Sequence, residues 1–315
     1  MFPEPRYIDT NGMRMAVYEK GEGAPVVFLH GFPELAFSWR HQLPALAEAG
    51  YRAIAPDLRG YGLTDKPAGI DQYTMQKLIA DVTGLLDAEH IDNAVIVGHD
   101  WGALLAWQMA LLVPERLSGL VALNIPFFPR PPVDPIAYMR AAFGDDFYIV
   151  NFQDSDAADR RCDENPARVF EVLMRRDAIT RERFNTLPSH VRHFSILAAL
   201  DRSRLAGDNL LSPDEAKVYV DAFSAGGFTA PINWYRNWTH NWASTANVAQ
   251  KVRVPTLFIG ATDDVIISAA HIDAMRPFVA DLELHMLEGC GHWSQQEQPA
   301  DVNSLLLDWL DRRHQ

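Results

Sequence analysis

Cysteine is almost absent: Cys162 and Cys290, far apart in a chain of 315 residues, are the whole complement. Two isolated thiols build no disulfide framework and suit a reducing compartment. A basic excess is lacking too, with 28 Lys and Arg against 41 Asp and Glu and a net charge of −13. A protein that grips phosphate backbones needs the opposite balance, so nucleic acid is not an expected partner. No apolar run is long enough for a bilayer, because the longest, Trp101 to Val113, stops at Pro114. The first twenty residues mix Pro, Glu, Arg, Asp and Lys and hold no apolar core of signal-peptide type. Internal repeats and low-complexity tracts are missing as well. These absences predict a cytoplasmic protein with no membrane anchor, and they leave the oligomeric state open. Of the eleven histidines, His190 and His193 would share a helix face, but no third ligand of matching spacing stands nearby. No metal and no cofactor is therefore expected.

What is present is an ordinary globular balance, 48% apolar and 22% charged, over a length that suits one large domain or one domain with an insertion. Tyr7 to Tyr18 reads as a β-hairpin turning at Asn11-Gly12. Short apolar runs follow at Val26–Leu29, Arg52–Ala55, Ala94–Val97 and Leu120–Leu123. Helical segments such as Thr74–Glu89 and Trp101–Leu112 lie between them. Buried parallel strands alternating with helices give this rhythm. After Asn124 it changes: Pro126, Pro129, Pro131, Pro132 and Pro135 interrupt regular structure, and Pro166–Arg176, His190–Leu200 and Pro213–Phe223 read as helices. Strand runs resume at Pro255–Ile259 and Leu282–Leu287, before a closing helix at Ala300–Arg312. The pattern predicts an α/β core over residues 1–128 and 248–315, with a mostly helical insertion over 129–247.

Three motifs carry chemistry. Gly98-His99-Asp100-Trp101-Gly102, set between a strand and a helix, has the form of a nucleophile elbow, with Asp where ester hydrolases usually carry Ser. The elbow is a strained turn in which side chains at positions 98 and 102 would collide with backbone. An Asp at this place could instead simply cap the helix. As a nucleophile, a carboxylate suits an sp³ carbon bearing a leaving group and yields an alkyl ester of the enzyme, so epoxides and alkyl halides are the natural substrates. The second motif, His30-Gly31-Phe32-Pro33-Glu34, follows the strand Val26–Leu29. Its Phe32 amide and the amide of Trp101 are the expected oxyanion donors, while His30 braces the loop. The third, Gly289-Cys290-Gly291-His292-Trp293, puts His292 in the right chain order to deprotonate the hydrolytic water. Its acid partner is expected after the strand Pro255–Ile259, where Asp263 and Asp264 compete on residue type alone.

Together these residues resemble the epoxide hydrolase family and are most similar to the catalytic domain of soluble epoxide hydrolases. The resemblance covers nearly the whole chain and includes Asn233-Trp234-Tyr235-Arg236-Asn237. It implies an α/β-hydrolase fold, a mostly parallel central sheet flanked by helices, with an inserted helical cap and a small-molecule epoxide as substrate. The family's Gly/Ala-x-x-Asp spacing, carried onto Gly260-Ala261-Thr262-Asp263, selects Asp263 as the acid. The family also holds the epoxide oxygen with two cap tyrosines. Tyr235 matches one directly, and Tyr148, before Phe152-Gln153, matches the other, with Tyr138 as fallback. Two phenols beside a carboxylate would stabilise the departing alkoxide without adding a charge. Trp101, Tyr148 and Tyr235 are thus the expected substrate contacts, and Trp234, Trp238 and Trp242 read as cap core. A haloalkane dehalogenase shares the Asp elbow and would hold halide with indole or amide N–H groups. A non-catalytic receptor on this fold would not need the residues of all three motifs.

Overall fold

The computed structural model describes residues 2–154, 156–188, 192 and 194–313, so His190 and His193 lie outside the described residues. Strands β1 (Arg6–Thr10) and β2 (Met13–Lys20) form the antiparallel hairpin, turning at Asn11 and Gly12, both with positive φ. Strands β3 (Ala24–Leu29), β4 (Tyr51–Pro56), β5 (Ala94–His99) and β6 (Leu117–Leu123) follow. A two-residue ladder pairs β7 (Arg175–Arg176) with β8 (Asp208–Asn209), and β9 (Thr256–Ala261) and β10 (Leu282–Leu287) complete the set. The main sheet has the order β1-β2-β4-β3-β5-β6-β9-β10, antiparallel on its β1-β2-β4 side and parallel from β4 to β10.

Alternate residues of each central strand point to opposite faces, so one run feeds two cores. Val27, Leu29 and Ile96 pack with Leu78, Leu85 and Leu105 of helices Met75–Ala88 and Trp101–Leu112. Val26, Phe28, Val95 and Val97 pack on the other face with Leu43 and Leu46 of helix Gln42–Glu48 and with Leu306 and Trp309 of helix Pro299–Arg313. Covered on both sides, these strands read as continuous apolar runs.

Between β6 and β9 the regular structure among the described residues is helical apart from the short ladder. Here proline begins helices as well as interrupting structure. Pro135, Pro166 and Pro213 each stand at a helix start, where the missing N–H costs nothing. Asp134 caps the first by accepting from the Ile136 amide at 2.9 Å. Asn165 caps the second through the Arg168 amide at 3.0 Å. The second helix ends at Leu173, not Arg176, because Arg175 and Arg176 enter the ladder. The helix expected from His190 is seen at Ile196–Leu200, with Ser195 as its cap. Among the described residues no helix is long and apolar enough to cross a membrane.

Candidate active site

The elbow forms at the carboxyl end of β5. Asp100 takes φ 50° and ψ −119°, a strained conformation for a non-glycine residue, directly before helix Trp101–Leu112. Two glycines make the turn possible. A Cβ on Gly98 would stand 2.3 Å from the Gly102 carbonyl oxygen, and one on Gly102 would stand 1.9 Å from that of Leu29. The Asp100 Oδ1 accepts from the Phe32 amide at 2.8 Å, so the loop after β3 reaches the carboxylate as expected. No bond from the Trp101 amide to that carboxylate is seen among the described residues. The Trp101 ring instead packs edge-on against Tyr235 and Trp234.

His292 stands between two carboxylates. Its Nε2 lies 3.7 Å from Asp100 Oδ2, and its Nδ1 is hydrogen-bonded at 3.0 Å to Asp264 Oδ2. The acid on His292 is therefore Asp264 and not Asp263, a correction to the spacing argument. The reason lies in the loop after β9. The amides of Thr262 and Asp263 stay bonded to the carbonyls of Leu287 and Cys290, so successive side chains still turn to opposite sides. Asp264 turns inward and is buried. Asp263 turns toward the inserted segment, where its Oδ1 accepts from the Arg181 amide at 2.7 Å.

Burial alone would lower the His292 pKa, but the Asp264 carboxylate, its hydrogen bond and the charge of Asp100 outweigh it and raise the imidazole to about 9. The converse holds for Asp264: burial would raise its pKa, and His292 with the Asn124 amide keeps it below the ordinary value. Tyr148 begins the helix Tyr148–Asp154, and Tyr235 lies in helix Thr229–Arg236. Their rings are 5.8 Å apart and their hydroxyls face one another. Burial raises both phenols well above their usual range, helped for Tyr148 by the charge of Asp100 and for Tyr235 by the neighbouring Tyr148 and then Asp100, so both stay neutral donors. The indole N–H of Trp101 also faces the Tyr235 hydroxyl. The fallback Tyr138 is 59% exposed and stands apart from this group.

Several residues of the site escaped the sequence reading. Asn124, in the left-handed conformation at the end of β6, donates to Asp264 Oδ2 at 2.9 Å and is itself held by Ser294 at 2.6 Å. An Asn directly after a central strand, at the carboxyl edge where α/β sheets bind their ligands, was the available signal. Glu297 accepts from the amides of Gly291 and Trp293 on either side of His292, at 2.8 and 2.9 Å. Glu34 is fully buried. It accepts from the Gly31 amide at 3.0 Å, pairs with His99 at 2.8 Å and takes the side-chain amides of Gln295 and Gln296 at 2.9 Å each. The other His99 nitrogen reaches the His292 carbonyl at 2.7 Å. The expected brace His30 takes the Leu58 amide on its Nε2 at 3.0 Å. Among the described residues no group of His, Cys, Asp and Glu could hold a metal ion.

An acid at a strained elbow, a late histidine with a buried carboxylate and a doubly wound, mostly parallel sheet define an α/β hydrolase. A family model described as alpha/beta hydrolase fold matches residues 24–161. Epoxide hydrolase A of Mycobacterium tuberculosis (strain ATCC 25618 / H37Rv) is 42% identical over 98% of this chain and 97% of its own length. The crystal structure of Epoxide Hydrolase A from Mycobacterium thermoresistibile is 36% identical, superposes with a TM-score of 0.89 and covers 98% of both chains. Bifunctional epoxide hydrolase 2 of Sus scrofa is 34% identical over 95% of this chain, which spans 54% of that longer protein. The chain belongs to the epoxide hydrolases of the α/β-hydrolase superfamily.

Proposed function

We propose that the chain converts an epoxide and water to a vicinal diol through an alkyl ester on Asp100. The observation that carries this reading is the pair of neutral phenols, half-buried Tyr148 and buried Tyr235, facing each other beside the nucleophile. Oδ1 of Asp100 is held by the Phe32 amide, which leaves Oδ2 to attack a ring carbon. As that carbon–oxygen bond breaks, the ring oxygen takes hydrogen bonds from both tyrosines and then a proton from one of them, which is left as a tyrosinate. Assistance of this kind is usually worth about 10²–10⁴ in rate. Water then attacks the Asp100 carbonyl carbon and gives its proton to His292, which Asp264 orients. The oxyanion formed on Asp100 is met by the amides of Phe32 and Trp101. As it collapses, the leaving oxygen takes the proton held by His292 to give the diol, and the proton left on Asp100 restores the neutral phenol.

The two phenols favour an epoxide over an alkyl halide. A halide would need N–H donors, and the Trp101 indole is turned to the Tyr235 hydroxyl. In this reading residues 129–247 act as a cap that brings Tyr148 and Tyr235 to a core of residues 1–128 and 248–315. The buried, unbridged Cys162 and Cys290 support a reducing, cytoplasmic setting. A single turnover in heavy-oxygen water tests the mechanism. The label should enter Asp100 and be missing from the first diol released; label in that diol would mean that water opens the ring directly. Styrene oxide and 1-chlorobutane, followed by diol and chloride release, separate the two substrate classes.

A further inference from the structure

The loop that carries Asp264 is gripped from two sides. From the core, Asn124 holds Asp264 Oδ2 and the Ile266 amide donates to Oδ1 at 3.0 Å. From the inserted segment comes Arg181, the first residue of the short helix Arg181–Thr186. Its guanidinium donates to the carbonyl oxygens of Asp264 and of Ile267, the two ends of the turn that presents the acid. Its own amide donates to the Asp263 carboxylate at 2.7 Å. The two neighbouring aspartates are thus used in opposite directions, one on His292 and one on the cap.

We infer that Arg181 and Asp263 form a clasp that positions the triad acid for the hydrolytic half-reaction, so that seating the cap segment completes the base. The inference rests on the ester mechanism proposed above. Arg181 touches neither Asp100 nor the tyrosines, and it acts only through the turn of residues 264–267. A guanidinium donating to two carbonyls of one turn fixes the orientation of that turn. The Asp264 carboxylate must stay aligned with His292 Nδ1 for the imidazole to present Nε2 to water. Misplacement of a catalytic group by about 1 Å costs up to about 10²-fold. Ring opening uses Asp100, Tyr148 and Tyr235, none of which the clasp holds, so the two half-reactions respond differently.

The test is single-turnover kinetics on styrene oxide, with the ester followed by intact mass, for the unaltered chain, Arg181→Met, Arg181→Lys and Asp263→Ala. Arg181→Met should slow ester hydrolysis by about 10- to 100-fold and alkylation by less than about threefold. Arg181→Lys, which restores a cationic donor, should recover part of the lost hydrolysis. Asp263→Ala opens the other half of the clasp and should give the same split, which keeps the test open if Arg181→Met fails to fold. Glu182→Ala, on the same helix and exposed, should behave as the unaltered chain. Hydrolysis unchanged in both clasp variants, or both half-reactions slowed alike with no recovery by lysine, would overturn the clasp. Absence of any ester in the unaltered chain and in His292→Gln would sink the mechanism itself, and the clasp with it.

Discussion

Replacing Asp100 by Asn gives a neutral side chain of the same shape and so mimics the charge state of the alkyl ester. His292 Nε2 lies 3.7 Å from the Asp100 carboxylate. At an effective dielectric of about 20, unit charges at that distance attract by about 4.5 kcal/mol, or roughly three pKa units. Removing the charge should therefore bring His292 down from about 9 toward its ordinary value near 6.5, with Asp264, the larger influence, still holding it up. Asp264, Glu34 and Glu297 stay in place around it, and the His99 ring still packs against it, tilted by 51° at 4.9 Å. The chemical consequence is a timed base. At neutral pH the free enzyme holds imidazolium, which cannot deprotonate the water, and ester formation itself releases the proton. Titration of ring-labelled histidine by NMR in the unaltered chain and in Asp100→Asn measures the shift. The acid limb of ester hydrolysis, from single-turnover rates, should fall near the lower value. An identical His292 titration in both proteins, or a hydrolysis rate that rises only through pH 9, would refute the argument.

Other outcomes follow from the same geometry. Asp264→Asn should accumulate alkyl-enzyme more than Asp263→Asn does, as seen by intact mass after one turnover. Tyr148→Phe or Tyr235→Phe should each slow alkylation by about 10- to 10³-fold, and the double variant should lose nearly all ring opening while hydrolysis of a formed ester suffers far less. Because the folded His292 pKa is raised from 6.5 to about 9, its contribution to stability is complete below pH 6.5 and is lost as pH climbs through 9. The span is worth about 3 kcal/mol, and His292→Gln should flatten it in denaturant titrations across that range. Gly102→Ala should fail to yield a folded, active protein, since its Cβ would lie 1.9 Å from a core-strand carbonyl; recovery of near-normal activity would refute the close-approach argument.

The core was legible because burial on both faces forces apolar runs, which mark the central parallel strands, while the half-buried edge strand β10 shows as Leu282–Leu287. The elbow was legible for a similar reason: close backbone approach demands small residues, and Gly98 and Gly102 leave that mark in the sequence. The acid was harder. Asp263 and Asp264 differ only in which way the loop turns them, and that is set by amide bonds to Leu287 and Cys290, some twenty-five residues on. The cap helices were read unevenly because proline has two meanings. Its positions in 126–132 fall in irregular chain, whereas Pro135 starts a helix once Asp134 supplies the cap. Glu34 and His99 lay inside quoted motifs, yet their partnership spans 65 positions and shows only in three dimensions.

The buried Glu34 carboxylate also constrains how such an enzyme can be rebuilt. One side chain is shared by the loop whose Phe32 amide reaches Asp100, the elbow strand through His99, and the segment after His292 through Gln295 and Gln296. Grafting the loop of residues 30–34 from a relative, without the matching stretch of 291–297, would strand a carboxylate or two amides in a dry interior at a cost of about 1–3 kcal/mol for each unmet group. Chimeras should therefore exchange these segments as a unit, and variation at position 34 should be tolerated only where 99, 295 and 296 vary with it.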